Sequence, residues 1–206
     1  TDKRSLWEKN HQLYSVIFEI TPRCNFNCVH CYLHDHHVSE ELSFEEIIRI
    51  IDILYKKEVL FLTLTGGDIF TRKDFLDIYL YAKRKGFIIE LYTNGALIND
   101  KIVEVFSKYP PLLVDISLYG SCEETYKKVT GVKGAFNKVI KNIKALLDAG
   151  VRVSLKAPIL SLYYSELPQI KSIAESFDIP FRTGFEIFPS IDNDDSVQQE
   201  LVAKMH

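Results

Sequence analysis

At 206 residues, with 47% hydrophobic and 26% charged residues, the chain has the composition of one packed domain with a sizeable core. A formal charge of −3 and a pI near 6.1 give no electrostatic case for nucleic acid or anionic membrane as its main partner. No apolar run approaches the ~18 residues of a membrane span, and the N-terminal TDKRSLWEKNHQ lacks the apolar core of a signal peptide. A cytoplasmic location is expected.

The elements alternate along the chain. Ser15 to Ile20, SVIFEI, is short, branched and aromatic and reads as a first strand ended by Thr21-Pro22. After the loop CNFNCVHC and a polar, His-rich link from His34 to Glu41, Ser43 is placed to cap a helix, with Glu46 at the capping-box position. The helix FEEIIRIIDILYKK carries apolar residues at 47, 48, 51 and 54, one helical face. Val59 to Leu64 predicts a second strand closed by Thr65-Gly66-Gly67-Asp68, and Asp74 to Lys85 a helix ended by Gly86.

The alternation continues with strand Phe87 to Tyr92, a TNG turn, helix Asp100 to Lys108 and strand Leu112 to Leu118. A short helix over Glu123 to Val129 and a longer one over Phe136 to Ala149 precede strand Val151 to Lys156. Helix Ser165 to Ser176 and a sixth strand, Phe181 to Phe188, follow, and the tail from Asp192 to His206 is expected to begin a last helix.

Strands alternating with helices imply a parallel sheet, because each strand must be reached by a crossover that covers a face of the sheet. Two closures satisfy the pattern, a barrel or partial barrel and a flat doubly wound sheet. In either, ligands gather at the carboxyl ends of the strands. The distinctive turns fall there: the cysteine loop after strand one, then TGGD, TNG, SLYG and KAP.

Three of the four cysteines, Cys24, Cys28 and Cys31, lie within eight residues, a crowding that suits a metal or redox site rather than a spaced disulfide framework. Thiolates are soft ligands and favour zinc, copper or an iron-sulfur cluster. A structural zinc needs a fourth ligand, for which His30, His34, His36 and His37 are candidates. A four-iron cluster held by three cysteines instead leaves one iron open to a small molecule. Cys122 has no partner in sequence, and because free cysteines are commonly small buried hydrophobes it is not assigned to the cluster. The HDHH run at 34–37 is read as a solvated loop in preference to a second metal site, and the aromatic stretches as core.

The motif CNFNCVHCY after the first strand resembles the signature of the radical S-adenosylmethionine (SAM) superfamily. The resemblance extends to TGGD, TNG and ISLYG in the right order and covers roughly residues 15–190. It implies a [4Fe-4S] cluster on Cys24, Cys28 and Cys31 whose open iron is chelated by S-adenosyl-L-methionine. One electron then cleaves the sulfonium, and the 5′-deoxyadenosyl radical abstracts a substrate hydrogen. The expected fold is an α/β partial (β/α)6 TIM-like barrel, with parallel strands and outer helices, as a single core domain.

By the same resemblance Gly66, Gly67 and Asp68 stand at the turn that binds the methionine amino group. Asp68 replaces the usual Glu, one methylene shorter, so its contact is expected to differ. His30 occupies the position that packs near adenine. Ser117 and Asn94 are placed at strand exits where they reach the cofactor, and Lys156 is expected to approach the SAM carboxylate or the substrate. Each has a plainer reading, as a turn residue, a loop histidine or a snorkelling lysine.

ISLYG followed by VTGVKGAFNKVIKNIKALLDAGVRVSLKAPI is similar to radical SAM enzymes that modify peptides or protein side chains, often extended by a cysteine-rich SPASM domain. Two features depart from that group: the chain ends at His206 without the seven-cysteine extension, and Gly184 stands where an aspartate is usual. It is expected to be the core of a longer enzyme or a smaller relative. The expected partners are a peptide or protein substrate and an electron donor such as flavodoxin or ferredoxin. A small-molecule substrate and a non-catalytic zinc protein are the alternatives.

Overall fold

The computed structural model describes residues 13–33 and 41–184. Within them six parallel strands form one sheet: β1 (Ser15–Thr21), β2 (Phe61–Gly66), β3 (Ile88–Thr93), β4 (Leu113–Ser117), β5 (Val153–Pro158) and β6 (Phe181–Gly184). Six α-helices intervene: α1 (Phe44–Lys56), α2 (Phe75–Lys85), α3 (Asp100–Lys108), α4 (Glu123–Thr130), α5 (Ala135–Asp148) and α6 (Leu167–Ser176). Histidines 34, 36 and 37, residues 185–188 of the expected sixth strand and the expected terminal helix lie outside the described residues.

The spatial order is β1-β2-β3-β4-β5-β6, each strand pairing in parallel with the next in sequence. A doubly wound sheet reverses its strand order at a switch point; this one does not. Parallel crossovers share one hand, so a monotonic order puts the helices on one side and curves the sheet into a partial barrel. Leu62, Leu64, Ile89, Leu91, Val114, Ile116 and Leu155 are fully buried on the helix side, opposite Ile51, Ile78, Phe106, Val139 and Ile170. Each such side chain contributes about 1.5–3 kcal/mol by leaving water.

Toward the carboxyl ends of the strands the alternate residues face the concave side and are polar: Glu19, Thr65, Tyr92, Asp115, Ser117, Lys156 and Arg182. The interior of an ordinary (β/α)8 barrel is filled by branched apolar side chains. A polar inner layer leaves room for a ligand instead.

Three expected strands begin one or two residues early for a common reason. Val59, Phe87 and Val151 each donate a backbone N–H to the preceding helix, to Leu54, Ala82 and Leu146 respectively. These are 6→1 Schellman bonds, and they assign the first apolar residue of each run to the helix end. The capping box of α1 forms as expected, with the Glu46 N–H donating to Ser43 Oγ and the Ser43 N–H to the Glu46 carboxylate.

Candidate active site

The cysteine loop starts at an irregularity in β1. Pairing with β2 runs in step to Glu19↔Thr65, then shifts so that Thr21 opposes Gly66, a bulge that turns the strand end into the loop. The glycines of the β2 exit are required by what lies beside them. A Cβ on Gly66 would sit 2.1 Å from the Thr21 carbonyl oxygen, and one on Gly67 would sit 2.4 and 2.5 Å from those of Arg23 and Pro22. In this close approach the Gly67 N–H donates to Thr21 O and the Asp68 N–H to Arg23 O, both at 2.8 Å. The two glycines thus clamp the entry to the cysteine loop.

The far side of the loop rests on α4. Asn27 and Val29, which flank Cys28, donate backbone N–H groups to Thr130 O and Val129 O at 3.0 Å each. Phe26 is buried edge-on against Tyr126, 6.2 Å between ring centroids. Held from both sides, Cys24, Cys28 and Cys31 all line a cavity of about 390 Å³ at the carboxyl ends of the strands.

Burial pushes the Cys24 thiol up to about 11, a rise moderated by the N–H of Phe26 donating to its sulfur. Burial raises Cys28 and Cys31 as well, and Cys28 also feels the charges of the other two. Without a cation these sulfurs are neutral thiols, and soft cations are what would make them thiolates. Among the described residues no three His, Cys, Asp or Glu side chains converge on a single ion, as a structural zinc site demands. A cluster makes a different demand, one thiolate for each of three irons. The donors fit it: three soft ligands, N–H groups already aimed at Cys24 Sγ, and an adjoining cavity.

The remaining expected site residues separate into two groups. Gly66, Gly67, His30, Asn94, Ser117 and Lys156 line the same cavity as the cysteines. The His30 ring lies 5.1 Å from that of Tyr119, and its buried Nδ1 has no hydrogen-bond partner. Burial holds the imidazole at about 4, so it is neutral at pH 7. Asn94 is turned to the loop: its Nδ2 donates to Asn25 Oδ1 at 2.9 Å and lies 3.7 Å from Cys24 Sγ.

Asp68 does not reach the cavity. It is fully buried, with Oδ1 accepting from the Phe70 N–H, and Oδ2 accepting from Thr93 Oγ1 at 2.7 Å and from the Asn94 N–H at 2.8 Å. Asp68 was expected to stand at the cofactor turn with an altered contact, and in this structure its carboxylate points away from the cavity lining. The short side chain is fully occupied in tying the β2 exit to the β3 exit. Burial pushes its carboxyl up, against the lowering effect of those three bonds.

Lys156 is joined by residues that linear reading missed. Its Nζ lies 3.4 Å from Asp115 Oδ2 and 3.6 Å from the centroid of the Tyr92 ring. Asp115 is fully buried and accepts from Ser154 Oγ at 2.5 Å and from Arg182 Nη2 at 2.8 Å. Desolvation lowers the Lys156 ammonium from its ordinary value, with Asp115 partly offsetting it. The register Ser117↔Lys156↔Arg182 aligns this group across three strands, and it lines a second cavity of about 500 Å³ that shares His30, Tyr92, Ser117, Tyr119 and Lys156 with the first. The available signal was period-two alternation in LVDIS and VSLKAP, which puts Asp115, Ser117, Ser154 and Lys156 on one face.

The Radical SAM superfamily profile matches residues 18–167. The chain belongs to the radical SAM superfamily. Members of that family use a [4Fe-4S] cluster and SAM, and the cysteine loop described above is where this chain would hold them. Among curated radical SAM relatives, the Fe-coproporphyrin III synthase of Methanosarcina barkeri is 32% identical over 167 residues, covering 80% of this chain and 42% of that protein. The antilisterial bacteriocin subtilosin biosynthesis protein AlbA of Bacillus subtilis is 31% identical over 160 residues, covering 77% and 35%. The chain thus spans less than half the length of either. Streptococcus suis SuiB bound to its precursor peptide SuiA superposes with a TM-score of 0.75 at 17% identity, covering 87% of this chain and 41% of SuiB, and shares the fold. No helix among the described residues is long and apolar enough to cross a membrane.

Proposed function

We propose that this radical SAM protein abstracts a hydrogen atom from a peptide or protein substrate. One observation carries the reading: the cysteine-lined cavity does not close over the cofactor site but continues along the concave face toward β5 and β6. Ile17 at one end of that face is 65% exposed, and the Arg182 side chain at the other is 58% exposed. An open trough suits an extended chain, whereas small ligands are usually 70–90% enclosed. The bacteriocin-biosynthesis relative and the peptide-bound fold neighbour support the same reading.

The cluster and SAM would supply the radical chemistry. The chain's own residues would hold and shield them: Cys24, Cys28 and Cys31 as iron ligands, and Gly66 and Gly67 presenting backbone to the methionine end. His30 and Tyr119 would form an aromatic wall, with Ser117 and Lys156 as polar contacts. The test is anaerobic reconstitution with SAM, a reductant and candidate peptides deuterated at single positions. Deuterium appearing in 5′-deoxyadenosine identifies the abstracted hydrogen; 5′-deoxyadenosine without deuterium from any peptide would count against a peptide substrate.

A second reading rests on the Asp115 group. Two cations, Lys156 and Arg182, share one buried carboxylate, so that end of the trough is net positive and suits an anionic small molecule. The Fe-coproporphyrin III synthase relative is consistent with it. Titration with iron coproporphyrin separates the readings: a saturable change in porphyrin absorbance that is lost in Arg182→Ala favours the small molecule.

A further inference from the structure

The cluster site requires an electron from outside the chain, and the surface beside the cysteine loop is suited to receive a donor. From Ser121 to Asp148, the end of α5, the sequence holds six lysines against two glutamates and one aspartate, in a chain whose formal charge is −3. Lys127, Lys128, Lys133, Lys138, Lys141 and Lys144 are all exposed. Lys138, Lys141 and Lys144 recur at intervals of three on α5 and so form one stripe.

The two glutamates are already engaged. Glu124 pairs with Lys128 at 2.8 Å, and Glu123 accepts the Gly134 N–H. Among the described residues the other five lysines have no ion-pair partner. A patch of charge is ordinarily just a solvated face, but this one adjoins the cluster loop directly. The backbone bonds Asn27–Thr130 and Val29–Val129 fasten the residues on either side of Cys28 to the last turn of α4, where Lys127 and Lys128 lie. Val29 is 42% exposed, an apolar point beside the basic surface, as in interfaces where apolar contact is ringed by charge.

We propose that this surface, the end of α4 with the lysine stripe of α5, docks an acidic one-electron carrier protein that reduces the cluster. The inference rests on the radical SAM reading above and adds the surface of this chain through which the electron enters. In each docking event the carrier is oxidised by one electron and the cluster is reduced by one. The surface is distinct from the substrate trough, since none of these lysines lines either cavity.

The test compares two reductants on the reconstituted holoprotein, followed by the loss of visible cluster absorbance. One is dithionite, which needs no docking surface; the other is a purified acidic flavodoxin kept reduced by its reductase. The triple variant Lys133→Glu/Lys138→Glu/Lys141→Glu should be reduced by flavodoxin at least about tenfold more slowly at low salt. Its dithionite rate and circular dichroism should match the unmodified protein. Raising ionic strength should slow the flavodoxin reaction of the unmodified protein and leave the variant almost unchanged. Equal flavodoxin rates in the two proteins at low salt, or no salt dependence in the unmodified protein, would overturn the proposal, as would tighter binding of single-stranded DNA or anionic vesicles than of flavodoxin. Failure with dithionite as well would count against the cluster assignment itself.

Discussion

Replacing Gly67 by alanine tests whether the β2 exit is a clamp on the cluster loop or only a flexible turn. The new Cβ would lie 2.4 Å from Arg23 O, 2.5 Å from Pro22 O and 2.7 Å from Arg23 C, all backbone atoms that no rotamer change can move aside. Restoring ordinary contact requires a shift of nearly 1 Å. That shift disturbs the hydrogen bonds from the Gly67 and Asp68 N–H groups to Thr21 O and Arg23 O. Overpacking adds about 1–3 kcal/mol and the weakened pair about 1 kcal/mol each at most, for roughly 3 kcal/mol of destabilisation. At this size of chain that lowers the melting temperature by about 6–12 °C. The assay is thermal unfolding of the apoprotein, with iron and sulfide per chain after reconstitution. Gly86→Ala is the control: it has positive φ (93°) but nothing within 4 Å of its Cβ, so it should lose about 1 kcal/mol to backbone strain and keep full iron content. Gly67→Ala with unchanged melting temperature and full iron content would refute the clamp.

Changing Cys24, Cys28 or Cys31 singly to alanine should abolish both cluster loading and release of 5′-deoxyadenosine, while Cys122→Ala retains both; visible spectra and product chromatography check this. Asp68→Asn puts a donor where three donors already point. It should cost about 2–3 kcal/mol in urea unfolding and change SAM affinity less than threefold, because Asp68 acts through the fold; a large affinity loss at unchanged stability would show direct contact. Glu166 ties the β4 exit to the segment before α6, accepting from the Ser121 N–H and Oγ and from Thr125 Oγ1. Partial burial raises its carboxyl, but these bonds outweigh it and hold the group below its ordinary value. A lowered folded-state pKa gives stability that is present above the ordinary carboxylate range and lost as pH falls through the folded value. Unfolding free energies at pH 7 and pH 3 should therefore differ less for Glu166→Gln than for the unmodified protein, and equal differences would remove the role assigned to these bonds.

Local chemistry by itself determines much of this protein. The strand and helix alternation is written in periodicity, and the Ser43–Glu46 box and Gly86 mark helix ends that form as their chemistry demands. The clustered cysteines, with the order of the turns, carried the cofactor expectation. Strand starts were displaced because Val59, Phe87 and Val151 look like strand by composition but bond back to a helix. That bond depends on the residues before them adopting a left-handed backbone, which side-chain type alone does not report for Glu58. Tertiary structure decided which residues meet. Strand order chose the partial barrel over a doubly wound sheet, a choice periodicity leaves open because both have the same one-dimensional pattern. Burial and three hydrogen bonds turned the Asp68 carboxylate toward the β3 exit. Register across β4, β5 and β6 assembled Asp115, Lys156 and Arg182, which are far apart in sequence and adjacent only once the strands are paired. Residue types determine what chemistry a position can perform, and the pairing of distant strands determines what stands next to it.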